Sequence, residues 1–198
     1  MKTNVMLSCL ILLSVCAAQA DIETRTVTYR EGDTVMQGYL ALPEGDARGL
    51  PGVLVVHEWY GLNDYARRRA RELAQLGYAA LAADMYGGGQ TAASADEAAS
   101  LAGALRTGDR QTMRKRALAA LSALKKESRV DAGRTAAIGF CFGGTVVLEL
   151  ARVNAPLKAV VSFHGGLGAP ESAAESRIGP AVLVLSLIHI SEPTRLRR

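Results

Sequence analysis

Short apolar segments alternate with amphipathic ones along most of the chain. Apolar segments of strand length are predicted as β-strands at residues 24–29, 34–41, 53–57, 78–83, 135–140, 158–163 and 181–185. Segments with apolar residues at helical spacing are predicted as helices at 63–76, 96–105, 110–127 and 143–153. Strands that alternate with helices are typical of a mostly parallel sheet with helices packed on it. The predicted fold class is therefore α/β.

The helix predicted at 110–127 has one apolar face, formed by Met113, Ala117, Ala120, Leu121 and Leu124. Its basic residues are expected on a solvated face: Arg114, Lys115, Lys125 and Lys126. A second basic group is expected on the exposed flank of the first helix: Arg67, Arg68, Arg69 and Arg71. Because neither group is interleaved with aromatic residues, no nucleic-acid partner is predicted.

The first twenty residues are typical of a secretory signal peptide. Lys2 is followed by an apolar run at 6–15 that is too short to span a bilayer comfortably, and Ala18-Gln19-Ala20 has the small-x-small pattern of a cleavage site. The sequence therefore predicts export, to a periplasm or beyond, and no stable membrane insertion. A lipoprotein attached through Cys16 is the less favoured alternative, because Val15 stands where a small residue is expected.

Composition supports one globular domain, at residues 21–185. The 198-residue chain is 49% hydrophobic and 21% charged, which suits a protein with a real core. Removing the signal peptide removes Cys9 and Cys16, so Cys141 is the one cysteine left and cannot form an internal disulfide. It is then either a buried inert thiol or a reactive one.

Cys141 lies at the centre of a G-x-C-x-G motif, between a predicted strand and a predicted helix. The segment reads Ile-Gly-Phe-Cys-Phe-Gly-Gly at 138–144. A side chain that projects from such a sharp turn needs very small neighbours two residues away, since the strand and helix backbones crowd there. The helix N-terminus favours both a thiolate and an oxyanion. Cys141 is therefore the candidate nucleophile.

A second group of polar and aromatic residues follows the strand predicted at 53–57. His57-Glu58-Trp59-Tyr60-Gly61 is not a zinc motif, because Gly61 occupies the position of the second histidine in H-E-x-x-H. Glu58, beside two aromatic residues, is expected to be a partly desolvated carboxylate able to interact with a nearby thiol. A solvated surface glutamate is the alternative.

These motifs together resemble the dienelactone hydrolase family of the α/β-hydrolase superfamily: VLVVHEWYGLN at 53–63, ADMYG at 83–87, DAGRTAAIGFCFGG at 131–144 and VVSFHGG at 160–166. The resemblance implies a three-layer sandwich and an ester or lactone hydrolase that works through an acyl-thiol intermediate on Cys141. It also implies backbone N–H groups of Phe142 and Trp59 as oxyanion donors, with Glu58 holding the resting thiol. Tyr86 and His164 are expected to line the pocket, and no metal or cofactor is implied.

The chain departs from the family pattern in two places. Glycines at 87–89 follow Tyr86, where the namesake enzyme has an arginine for its anionic substrate, which argues against dienelactone itself. Residues 186–198 resemble a translated sequencing adapter, so we expect a non-native tail and a truncated, impaired hydrolase. The last strand, the last helix and the acid and histidine of the triad are then missing. His57 is expected to point away from Glu58, and His164 has no evident orienting acid.

The sequence thus predicts a hydrolase of small esters or lactones that uses a cysteine nucleophile. A non-catalytic small-molecule-binding protein with the same pocket is one alternative. A redox thiol is another, and it requires an external partner because the mature chain has no resolving cysteine.

Overall fold

The computed structural model describes residues 21–170 and 178–186. The strands in these ranges are β1 (Ile22–Glu31), β2 (Thr34–Pro43), β3 (Leu50–Val56), β4 (Ala79–Ala83), β5 (Val130–Phe140), β6 (Ala159–Phe163) and β7 (Ala181–Leu185). The helices are α1 (Asp64–Gln75), α2 (Ala95–Arg106), α3 (Gln111–Lys125) and α4 (Phe142–Arg152). The predicted signal peptide and residues 187–198 of the predicted tail lie outside the described residues.

The strands form one mostly parallel sheet in the order β1-β2-β4-β3-β5-β6-β7. β1 and β2 are an antiparallel hairpin around Gly32, and β2 pairs antiparallel with β4. From β4 to β7 all neighbours are parallel. This order places the carboxyl ends of β4, β3, β5 and β6 side by side at one edge, where open parallel sheets collect their functional loops.

Helices cover both faces of the sheet, so the predicted three-layer α/β architecture is confirmed. α1 packs on one face through a row of alanines at 66, 70 and 74, against the side chains of Val53 and Val55. α2, α3 and α4 pack on the opposite face, where they bury Leu54, Val56 and Leu81. Because the central strands are buried on both sides, they read as continuous apolar runs in the sequence.

Two central strands begin earlier than their apolar pattern predicts. β3 starts at Leu50 and β5 at Val130, and these two residues pair with each other. The register then shifts between Pro51 and Gly52, so that Gly52 pairs with Thr135. The extra residues of β5 form a bulge, which explains why the apolar pattern predicts a strand only from residue 135.

The prediction of a solvated basic face on α3 is wrong for Arg114. Its Nε donates to Oε2 of Glu149 at 2.7 Å, and the Glu149 side chain is fully buried. Arg110 and Arg152 also donate to this carboxylate, at 2.8 and 2.7 Å. We call these four residues the Glu149 cluster. Arg110 and Arg152 additionally bind the carbonyls of residues 168 and 167, so the cluster ties α3 and α4 to the loop after β6.

β7 lies at the edge of the described sheet and leaves the apolar side chains of Val182, Leu183 and Leu185 exposed. None of the helices in the described part of the chain is long and apolar enough to cross a membrane.

Candidate active site

The predicted site residues follow four adjacent strands at one edge of the sheet. Glu58 and Trp59 come after β3, Tyr86 after β4, Cys141 after β5 and His164 after β6. Because these strands are parallel neighbours, residues far apart in sequence gather around the end of β5. The structure therefore places the loops that carry the predicted site residues side by side at one edge of the sheet.

Cys141 occupies the turn between β5 and α4 with strained backbone angles, φ 52° and ψ −111°. Its N–H donates to the Phe163 carbonyl at 2.9 Å, and its own carbonyl accepts the first bond of α4 from Thr145. The residue is half-buried and is the N-cap of the helix, and its side chain makes no capping hydrogen bond. A non-glycine residue in such a conformation persists where the surroundings enforce it, most often at functional sites.

The two glycines of the motif are needed because backbones meet here. A Cβ on Gly139 would lie 2.0 Å from the carbonyl oxygen of Gly143. A Cβ on Gly143 would lie 2.3 Å from the carbonyl oxygen of Val56. These contacts press the start of α4 against the ends of β5 and β3, and they confirm the crowding that the G-x-C-x-G spacing predicts.

The backbone strain at Cys141 can be measured with two substitutions. We expect Cys141→Gly to be more stable than Cys141→Ala by about 1 kcal/mol, because glycine adopts this conformation without steric cost. At an ordinary helix or strand position the order is reversed by about 0.5–1 kcal/mol. Urea unfolding of the two variants tests this, and a glycine variant less stable than the alanine variant would contradict the strain.

Tyr86 holds the loop after β3. Its hydroxyl donates to the Trp59 carbonyl at 2.7 Å. Burial raises the pKa of Tyr86 well above its ordinary value, a shift that nearby Arg106 opposes and the charge of Cys141 reinforces. Tyr86 therefore keeps its proton and remains a donor to the loop after β3.

Asp84 organises the glycine loop that follows β4, a role that sequence analysis did not assign. The buried carboxylate accepts backbone N–H bonds from Tyr86 at 2.9 Å and from Gly87 and Gly89 at 2.8 Å each. It also accepts the N–H of Gln37 at 3.0 Å, which joins the loop to β2. The loop is thus fixed by one acidic side chain, and that fixes the position of Tyr86.

His57 is buried beneath the loop that follows β3. Its Nδ1 lies 2.5 Å from the Glu58 carbonyl oxygen, and its Nε2 accepts the N–H of Met85 at 3.3 Å. Since Nε2 is an acceptor, the proton must be on Nδ1. Burial lowers the pKa of His57 to about 4, so the imidazole is neutral near neutral pH. Both ring nitrogens are occupied, and His57 is not available as a general base.

Glu58 and His164 face each other, with Oε1 and Nε2 3.8 Å apart and each side chain about one-third exposed. β3 and β6 flank β5, so this pair meets across the end of the strand that carries Cys141. The sequence shows no evident orienting acid for His164, and the strand order brings Glu58 near it from 106 positions away, at a distance longer than a hydrogen bond. Within residues 21–170 and 178–186, no group of three or more His, Cys, Asp or Glu side chains is placed to hold a metal ion.

Proteins similar to this chain carry names for lactone-type hydrolases. A Methylorubrum extorquens protein named "Putative carboxymethylenebutenolidase" is 32% identical over 144 residues, which is 71% of this chain and 48% of that protein. A Bradyrhizobium protein named "Probable 2-oxo-3-(5-oxofuran-2-ylidene)propanoate lactonase" is 35% identical over 64% of this chain and 50% of that protein. The chain thus spans about half the length of these curated relatives.

Two similar solved structures cover the fold more fully. A dienelactone hydrolase-like promiscuous phosphotriesterase from metagenomic libraries has a TM-score of 0.77 and 48% identity, and the protein named m3DLH has a TM-score of 0.78 and 46% identity. Each match covers 83% of this chain and 68% of the solved one. The model of the dienelactone hydrolase family matches residues 36–186. With that match and the shared fold, the chain belongs to the dienelactone hydrolase family.

Proposed function

We propose that this protein hydrolyses small esters or lactones with Cys141 as the nucleophile. The observation that carries the proposal is the strained backbone of the half-buried Cys141 at the start of α4, on the sheet edge where the loops that carry Glu58, His164 and Tyr86 also lie. The thiolate sulfur attacks the carbonyl carbon, the C–O bond to the leaving group breaks, and the leaving alkoxide takes up a proton. Water then attacks the thioester and releases the acid and the thiol.

Two backbone N–H groups are proposed as the oxyanion donors. Phe142 follows the nucleophile and is the first residue of α4, so its N–H is not needed by the helix. Trp59 belongs to the loop after β3, which the glycine contacts press against the start of α4. Donors from the residue after the nucleophile and from a preceding strand loop are the arrangement that acyl transfer in this fold requires.

Glu58 is proposed to hold the resting thiol until substrate displaces it. Its side chain is one-third exposed and borders the end of β5, so it is accessible from the pocket. The 3.8 Å contact with His164 gives the carboxylate a second partner when it leaves the thiol. His164 is proposed to line the pocket.

The substrate class follows from the pocket wall and from the relatives. The loop at 87–89 presents glycine backbone and no cationic side chain, so it offers no fork for a substrate carboxylate. The similar proteins are named as a carboxymethylenebutenolidase and a 2-oxo-3-(5-oxofuran-2-ylidene)propanoate lactonase, which favours lactones, and both names describe lactones that carry a carboxylate. Because the loop at 87–89 differs in lacking a cationic side chain, we propose small esters and lactones that need not carry a carboxylate.

The test is single-turnover acylation of the protein by p-nitrophenyl acetate. We expect a burst of one equivalent of p-nitrophenolate and a mass increase of one acetyl group on the peptide that contains Cys141. Cys141→Ala serves as the control and should show neither. A wild-type protein that binds ester without forming this adduct would overturn the proposal and favour a non-catalytic binding protein, whereas oxidation of Cys141 without acylation would favour a redox thiol.

A further inference from the structure

His57 makes two hydrogen bonds that join the ends of neighbouring strands. The Nδ1–H donates to the carbonyl of Glu58, and Nε2 accepts from Met85 at the end of β4. The ring is 1% exposed, so water does not compete for either bond. A buried group with both partners satisfied is rigid, because breaking either bond leaves an unpaired polar atom in the interior.

The Glu58 carbonyl and the Trp59 N–H belong to one planar peptide group. In a trans peptide the C=O and N–H bonds point in opposite directions, so fixing the oxygen fixes the direction of the N–H. The next peptide group is held as well, because Tyr86 donates to the Trp59 carbonyl at 2.7 Å. Trp59 is therefore held from both sides by buried side chains.

His57 also touches the residue that carries the other proposed donor. Its ring stacks on Phe142, with centroids 5.9 Å apart and an interplanar angle of 21°. Its ring meets Tyr86 edge to face, with centroids 5.0 Å apart. One imidazole thus contacts Tyr86, Phe142 and the Glu58 carbonyl, which also accepts the N–H of Gly61 at 3.3 Å.

We propose that His57 is a positioning residue, which fixes the Glu58–Trp59 peptide so that the Trp59 N–H points at the oxyanion. This inference rests on the proposed function, in which Trp59 is an oxyanion donor. It assigns no proton transfer to His57, which stays neutral and touches neither thiol nor substrate. What matters in this role is the direction of the Trp59 N–H bond. A different side chain that restores the hydrogen bond to the Glu58 carbonyl should therefore restore the acylation rate.

Three substitutions distinguish the effect of the hydrogen bond to the Glu58 carbonyl from the effect of filling the space of the imidazole ring. His57→Phe fills the space without either hydrogen bond, His57→Asn places an amide N–H near the position of Nδ1, and His57→Gln extends toward Met85 instead. Two rates are compared: acylation by p-nitrophenyl acetate, which needs the oxyanion donors, and alkylation of Cys141 by iodoacetamide, which needs only the thiol.

We expect His57→Phe to slow acylation by about 10- to 100-fold with alkylation unchanged. His57→Asn should recover most of the acylation rate, and His57→Gln should not. The positioning role of His57 would be overturned if the acylation and alkylation rates fell by the same factor in His57→Phe. It would also be overturned if His57→Asn and His57→Gln recovered the acylation rate equally. If the wild-type protein is not acylated at all, the proposed function fails, and that outcome is distinct from these.

Two further measurements do not require that the His57 variants fold. Tyr86→Phe removes one hydroxyl from the other side of Trp59, and the ratio of the acylation rate to the alkylation rate should fall by about 10-fold. An unchanged ratio in this variant would contradict the need to hold Trp59. Nitrogen-15 NMR of the wild-type imidazole should show the Nδ1–H tautomer, and an Nε2–H tautomer would overturn the proposal directly.

Discussion

Glu149→Ala is expected to lower the free energy of unfolding by about 3–5 kcal/mol. The carboxylate is fully buried, and three guanidinium groups, from Arg110, Arg114 and Arg152, donate to its two oxygens at 2.7–2.8 Å. Removing it leaves these cations unpaired with only 13–16% of their side-chain surface exposed. Since Arg110 and Arg152 also hold the loop after β6, the position of His164 should loosen too.

Glu72→Ala is the matched control, because Glu72 also lies between two arginines, Arg68 and Arg69, but on the surface of α1 with 43% of its side chain exposed. We expect its effect to stay within about 1 kcal/mol, since exposed ion pairs contribute little. Urea unfolding of both variants gives the comparison. Similar losses at the two positions would show that the Glu149 cluster is not a buried network.

The elements of this fold could be predicted from the sequence because they depend on local periodicity. The apolar runs locate β4 and β6 within one residue, and the face of α3 from Met113 to Leu124 is buried as its spacing predicts. The starts of β3 and β5 could not be predicted, since a bulge mixes polar and glycine residues into a paired strand. Register shifts of this kind depend on the neighbouring strand and leave no periodic signal.

In the candidate site, too, local features could be predicted from the sequence and features that depend on strand order could not. Cys141 and the crowded glycines follow from a short motif, because their geometry is set within a few residues of the turn. The bond from His57 to Met85 and the Glu58–His164 contact depend on which strands are neighbours, so sequence spacing does not show them. The sequence does contain one indication of the buried carboxylates. Asp84 and Glu149 lie within apolar segments, where a charged residue needs partners.

Cys141→Ser is expected to reduce acylation by p-nitrophenyl acetate by about 1,000-fold or more. Sulfur and oxygen occupy similar positions here, so the strained turn and the donors of Phe142 and Trp59 should be preserved. A thiol ionises readily in mildly alkaline solution, whereas a serine hydroxyl needs a general base within hydrogen-bond distance. His57 is neutral with both nitrogens occupied, so it cannot serve as that base.

The comparison with Cys141→Ala shows what remains of the site without the sulfur. If the serine and alanine variants are equally inactive, acylation depends on the thiolate itself, and the oxyanion donors alone do not activate a hydroxyl. A serine variant that keeps more than about a tenth of the wild-type rate would contradict this, and it would mean that a base reaches position 141. The only imidazole other than His57 in the described part of the chain is His164, so Glu58 and His164 would then be the pair to test. The single substitution thereby distinguishes a site that relies on an ionised sulfur from one that relies on proton transfer.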